Sequence, residues 1–99
     1  MKKYLIQVTT TGTEMNPNFA GVISTSVCGK GSFSNIDREI RYDDYRVLEP
    51  AVRRLAKEFG YATEAAAKVG LASLKKHNDE EAARFGFHTF EHKIICVEI

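Results

Sequence analysis

Near the C-terminal end of the chain, His88, His92 and Cys96 are spaced by four residues. That interval stacks ligands along one side of a helix, where two imidazoles and a thiolate could hold a zinc ion. The neighbouring residues favour a different element. Ile94, Ile95 and Val97 are β-branched and favour strand, and on a strand four residues span roughly 13 Å, several times the ~2 Å bonds around one metal. The three groups are expected to share a face without sharing an ion. No metal and no other cofactor is expected.

Gly29-Lys30-Gly31-Ser32 brings glycine amides and a lysine together, as a phosphate-binding loop does. Such a loop needs two glycines bracketing four residues before Lys-Ser/Thr, and a helix directly after it to hold the phosphate. Here a strand-like segment follows, so a hairpin turn is expected. Cys28, or Ser24, Ser26 and Ser34, could serve as nucleophiles beside a histidine, but none has a local signature that would activate it. The acidic pairs Asp43-Asp44 and Glu80-Glu81 suit a turn and the first turn of a helix better than a general acid/base couple. The chain is read as non-catalytic.

The elements around these residues follow from composition and periodicity. The chain has 99 residues, 43% of them apolar, with six Phe and four Tyr, enough for one core and one domain over residues 1–99. Fourteen Lys and Arg against thirteen Asp and Glu leave a formal net charge of +1. No strong field of one sign is present, which argues against a highly basic nucleic-acid coat or an acidic DNA mimic. Locally the charge is uneven: residues 44–77 are mainly basic and 78–99 mainly acidic. The apolar run after Met1-Lys2-Lys3 stops at Gln7, short of a signal-peptide core, so the chain is expected in the cytoplasm. No stretch approaches the roughly 20 apolar residues of a membrane span. Cys28 and Cys96 are expected as free thiols.

Lys3–Thr10 alternates with Tyr4, Ile6 and Val8 on one side, which predicts a strand. Ala20–Cys28 and Phe33–Tyr42 read as second and third strands, the latter after the glycine turn. Pro50 is expected to open a helix whose stripe is Val52, Leu55, Ala56 and Phe59, with Gly60 as C-cap. Thr63 is a good N-cap for a helix from Ala65 to His77, with Ala67, Gly70, Leu71 and Leu74 inward. Gly70 in mid-helix suggests close approach to a neighbour. Asn78 with Glu81 resembles a capping box opening a short third helix to Phe85-Gly86. The last segment, His88–Ile99, is apolar on both faces, which predicts a central strand.

The expected fold is α+β: an antiparallel sheet of three or four strands in the order βββααβ, with two or three helices packed on one face and the last strand inserted among the earlier ones. Two surfaces stand out. Arg53, Arg54 and Lys57 on one helix and Lys68, Lys75 and Lys76 on the next would form one basic surface if the helices packed antiparallel. The loop from Thr11 to Asn18, with Met15, Asn16 and the following Phe19, is long for a hairpin, and long loops often carry function.

The layout, a β-meander with a helical pair and a closing strand, resembles small accessory proteins of phages and mobile elements, some of which inhibit host defence. The absence of a catalytic signature in a chain with a full core gives the first reading, a non-catalytic module that docks on a larger protein, such as an inhibitor of this kind. The second reading is a nucleic-acid-binding domain using the basic helix faces. A homodimer by sheet extension is a further expectation for so small a domain.

Overall fold

The computed structural model describes residues 1–31, 39–42 and 49–99. The elements are β1 (Lys2–Gly12), β2 (Ile23–Cys28), β3 (Glu39–Tyr42), α1 (Glu49–Phe59), α2 (Glu64–Phe85) and β4 (His88–Glu98). The four strands form one antiparallel sheet in the order β3-β2-β1-β4. The architecture is α+β, as the periodicities predict. The end of the predicted glycine turn at Ser32, the first part of the predicted third strand (33–38, with Ser34) and the Asp43-Asp44 turn lie outside the described residues.

The central strand of the long pair is β1, not the last strand. Leu5, Ile6, Gln7 and Val8 are consecutively buried, so β1 is covered on both faces and flanked by β2 and β4. β4 pairs with β1 along its whole length, from Lys2 opposite Glu98 to Gly12 opposite His88, and forms the edge of the sheet. Its apolar run reports a different property from centrality. Side chains on both faces of a strand answer to the layers above and below it, whereas lateral neighbours are held by backbone groups, which every residue has.

Those layers are the two helices, and they lie on opposite faces rather than on one. Leu5 and Val27 cluster with Leu55 and Ala56 of α1, joined by Val52, Phe59, Ile95 and Val97. Ile6, Val8 and Cys28 cluster instead with Tyr61, with Leu71 and Leu74 of α2, and with Phe90. Leu5 and Ile6 are adjacent, so their side chains leave opposite faces of β1. The stripe predicted for α1 is the one buried: Leu55 and Ala56 are inside, and Arg53, Arg54 and Lys57 are exposed.

The chain passes from one face to the other at Gly60-Tyr61. Tyr61 exchanges backbone hydrogen bonds with Tyr4, N to O at 2.8 and 3.0 Å, in the row where β2 has already ended. Gly60 does not take the left-handed conformation of a helix cap. It is small because a Cβ there would crowd the Ala56 carbonyl and come within 2.8 Å of the Lys3 Cβ.

α2 begins as predicted: the Thr63 side chain accepts a hydrogen bond from the Ala66 N–H at 3.1 Å. It then runs unbroken to Phe85, so there are two helices among the described residues, and the break expected at Asn78 is absent. Asn78 turns its amide to His92, 2.9 Å away, instead of capping a new helix. Lys75 and Asp79, four apart, form a 2.6 Å ion pair across the same point. Gly86 ends the helix in the left-handed region, φ 70°, with its N–H on the Ala82 carbonyl.

Gly70 accepts the close approach its type suggests, because a Cβ there would collide with the Tyr61 hydroxyl and ring. Alanine favours helix over glycine by about 1 kcal/mol, whereas overpacking costs about 1–3 kcal/mol. Gly70→Ala should therefore be destabilising on balance, as read by urea denaturation. The same substitution in a Tyr61→Ala background should be neutral or stabilising.

Candidate functional site

The corner where α2 turns into β4 is stitched to the loop after β1. The Thr13 N–H bonds the Phe87 carbonyl at 3.0 Å, and the Thr13 hydroxyl donates to the Gly86 carbonyl. The loop then closes through successive turns: Asn16 N–H to Thr13 O, Phe19 N–H to Asn16 O and Val22 N–H to Phe19 O, all at 2.9–3.0 Å. Gly21 at φ 75° bonds back to Gly12. Long as it is, this loop is held by its own backbone.

The stitching leaves large apolar side chains in solvent. Met15 is 67% exposed, Phe85 49% and Phe87 43%, and Met15 lies over Gly86, between the two phenylalanines in sequence. The Phe85 and Phe87 rings stack with centroids 6.2 Å apart and planes 8° from parallel. The Arg84 guanidinium sits 5.1 Å from the Phe85 centroid, a cation–π contact that orients the ring. Beside them an open groove of about 230 Å³ is lined by Glu81, Ala82, Phe85, Phe87, His88 and Phe90. Phe19, 55% exposed, with Val22 and Ile23, carries apolar surface along the far end of the β1–β2 connection.

Of the loop residues singled out from sequence, Met15 joins this apolar corner and Phe19 is exposed along the connection. Asn16 serves the turn, donating and accepting through its backbone. Phe85, Phe87 and the groove residue Phe90 were not singled out, and His88 was weighed only as a metal ligand. Their signal is the Phe-Gly-Phe at the helix stop: a left-handed Gly86 turns the chain sharply, so its neighbours cannot both follow the helix stripe inward.

The six basic residues do not form one surface. Arg53, Arg54 and Lys57 belong to the helix covering Leu5, and Lys68, Lys75 and Lys76 to the helix covering Ile6, on the opposite side of the sheet. Lys75 pairs with Asp79, and Lys68 lies 4.0 Å from Glu64.

His88, His92 and Cys96 lie along one face of β4, as their strand placement requires, with the Phe90 ring between the two imidazoles at 6.2 and 6.5 Å. Cys28 is buried, Cys96 is exposed and neither forms a disulfide. They stand on opposite sides of β1, about two strand spacings or roughly 10 Å apart, beyond the reach of a disulfide. Burial raises the Tyr61 hydroxyl pKa, and the nearby Cys28 adds to the shift. Among the described residues no helix is long and apolar enough to cross a membrane.

Comparison with protein families, with curated proteins and with solved structures gives no match.

The surroundings of His92 favour its neutral form. Burial lowers its pKa, Asp79 partly opposes this and Lys75 reinforces it. With the Asn78 amide donating to Nε2, the ring is the Nδ1–H tautomer. A histidine lowered by folding takes up its proton first in the unfolded chain. Its contribution is therefore complete above about pH 6.5 and falls away as the pH drops from there through the lower folded value. His92→Gln should remove that portion of the acid destabilisation, measured by urea denaturation at pH 7.5 and pH 5.5.

Proposed function

We propose that this protein is a non-catalytic binding module that docks on a larger protein through the apolar corner of Met15, Phe85 and Phe87, as an inhibitor or accessory subunit would. The observation that carries this reading is the stacked, solvent-exposed Phe85–Phe87 pair beside an open groove. Clustered exposed aromatics of this kind mark interaction sites, because leaving them in water costs free energy that a partner's apolar surface recovers. The ring pair is oriented before binding by Arg84 and by the stitched loop, which lowers the entropy cost of docking. A partner that fits would insert an apolar side chain into the groove and place polar groups around Arg84 and Glu81.

The nucleic-acid reading has less support. The six basic residues are divided between two faces, and Lys68 and Lys75 already have acidic neighbours, so a phosphate backbone would meet two separate groups rather than one continuous stripe.

Affinity capture from lysate, with and without nuclease, separates the two readings. A stoichiometric protein partner should survive nuclease and weaken by on the order of tenfold or more with Phe87→Ser, since an aromatic anchor contributes about 2 kcal/mol or more. Met15→Ser should act in the same direction. Retention that disappears with nuclease, or with Arg53→Ala/Arg54→Ala and not with Phe87→Ser, would count against the docking reading.

A further inference from the structure

β4 is an eleven-residue edge strand, and its backbone geometry defines what it can pair with. Tyr4 turns its N–H and C=O towards Tyr61, away from β4, so the even-numbered residues of β1 face the β2 side and the odd-numbered ones face β4. The odd-numbered residues of β4 are bonded to β1. The contacts beyond both ends agree, since Thr13 bonds Phe87 and Ile99 bonds Met1. The even-numbered residues, from His88 to Glu98, therefore direct their N–H and C=O to the open side, where no strand pairs with them among the described residues.

The charges along this edge reverse sign about one point. Glu91 precedes His92 and Lys93 follows it, and both are exposed on the same face. In α2, Lys75 and Lys76 precede Asn78, and Asp79, Glu80 and Glu81 follow it. The 2.9 Å Asn78–His92 hydrogen bond superposes the two points of reversal. Lys75 and Asp79 also lie on the flank of α2 that faces the open edge. Tyr61 packs on Gly70 from the β2 side, and at 100° per residue positions 75 and 79 lie about 140° and 180° round from Gly70.

We propose that the protein forms a two-fold homodimer by antiparallel pairing of β4 with β4 of a second copy, with His92 opposite His92 at the axis. This register matches the free backbone groups, pairing His88 with Cys96, Phe90 with Ile94 and His92 with itself as hydrogen-bonded pairs. Glu91 and Lys93 of the second copy then fall in a non-hydrogen-bonded pair, where side chains are closest, and the same pair recurs across the axis. Moving the axis by one residue sets Lys93 against Lys93 or Glu91 against Glu91. The two α2 helices run antiparallel past each other at Asn78, so the basic half of each meets the acidic half of the other. An eight-stranded sheet results, and an unpaired edge that would invite aggregation is closed. The inference does not rest on the docking reading: Met15, Phe85 and Phe87 lie past the paired segment, whereas the groove residues His88 and Phe90 fall within it.

Light scattering on a sizing column, over a dilution series, should give twice the 11.1 kDa of one chain. Glu91→Lys and Lys93→Glu should each raise the dimer dissociation constant by on the order of tenfold, because each sets like charges opposite one another twice. Mixing the two variants should restore tight association as a heterodimer, and Glu91→Lys/Lys93→Glu in one chain should restore the homodimer. Both side chains are exposed, and circular dichroism checks that the variants keep the native fold. A monomer at every concentration, single variants that leave the dissociation constant within twofold, or mixed variants that do not associate would overturn the proposal. In the alternative register with Lys93 at the axis, Glu91→Lys would have no effect.

Discussion

The backbone exchange between Tyr61 and Tyr4 is the constraint on which the rest of the fold depends. By pairing in the row that β2 leaves vacant, Tyr61 takes the chain through the plane of the sheet, so that a helix ends on one face and the next begins on the other. Two small residues make that crossing feasible. Gly60 lets the chain pass against Lys3, and Gly70 lets the Tyr61 ring lie against α2. With the helices on separate faces, β1 is sandwiched between them and its four consecutive buried residues are satisfied on both sides.

The same crossing decides which surfaces exist. It separates the two groups of basic side chains, so that the six do not share one face. It also carries α2 along the sheet towards its open edge, where Asn78 reaches His92, and on to the corner where Phe85 and Phe87 stack in solvent. The apolar corner and the free edge of β4 are thus products of one path of the chain. They differ in chemistry: the corner offers aromatic surface and a groove, and the edge offers backbone donors and acceptors bordered by paired charges.

Much of the fold was legible wherever the information is local. The alternation in β1, the Val52-Leu55-Ala56-Phe59 stripe, the Thr63 cap and the helix stop at Gly86 each depend on residues within a few positions of one another. The break expected at Asn78 fails for a comparable reason with a distant cause. A capping residue caps only when its side chain is free to turn back, and here it is held by a histidine fourteen residues away. Gly60 was legible as a helix end, but part of the need for a small residue comes from Lys3 on β1, whose Cβ a side chain there would meet along with the Ala56 carbonyl.

The residue pattern by itself determined the element types, the α+β class, the inward stripes of both helices and the spreading of His88, His92 and Cys96 along a strand, because periodicity and propensity act over a few residues. Only the tertiary structure decided that β1 rather than β4 is central, that the helices take opposite faces, that the basic residues are divided and that Phe85 and Phe87 are left in solvent. Those outcomes turn on backbone hydrogen bonds between distant segments. Backbone groups are the same in every residue, so the side-chain pattern carries little record of which segments they will join.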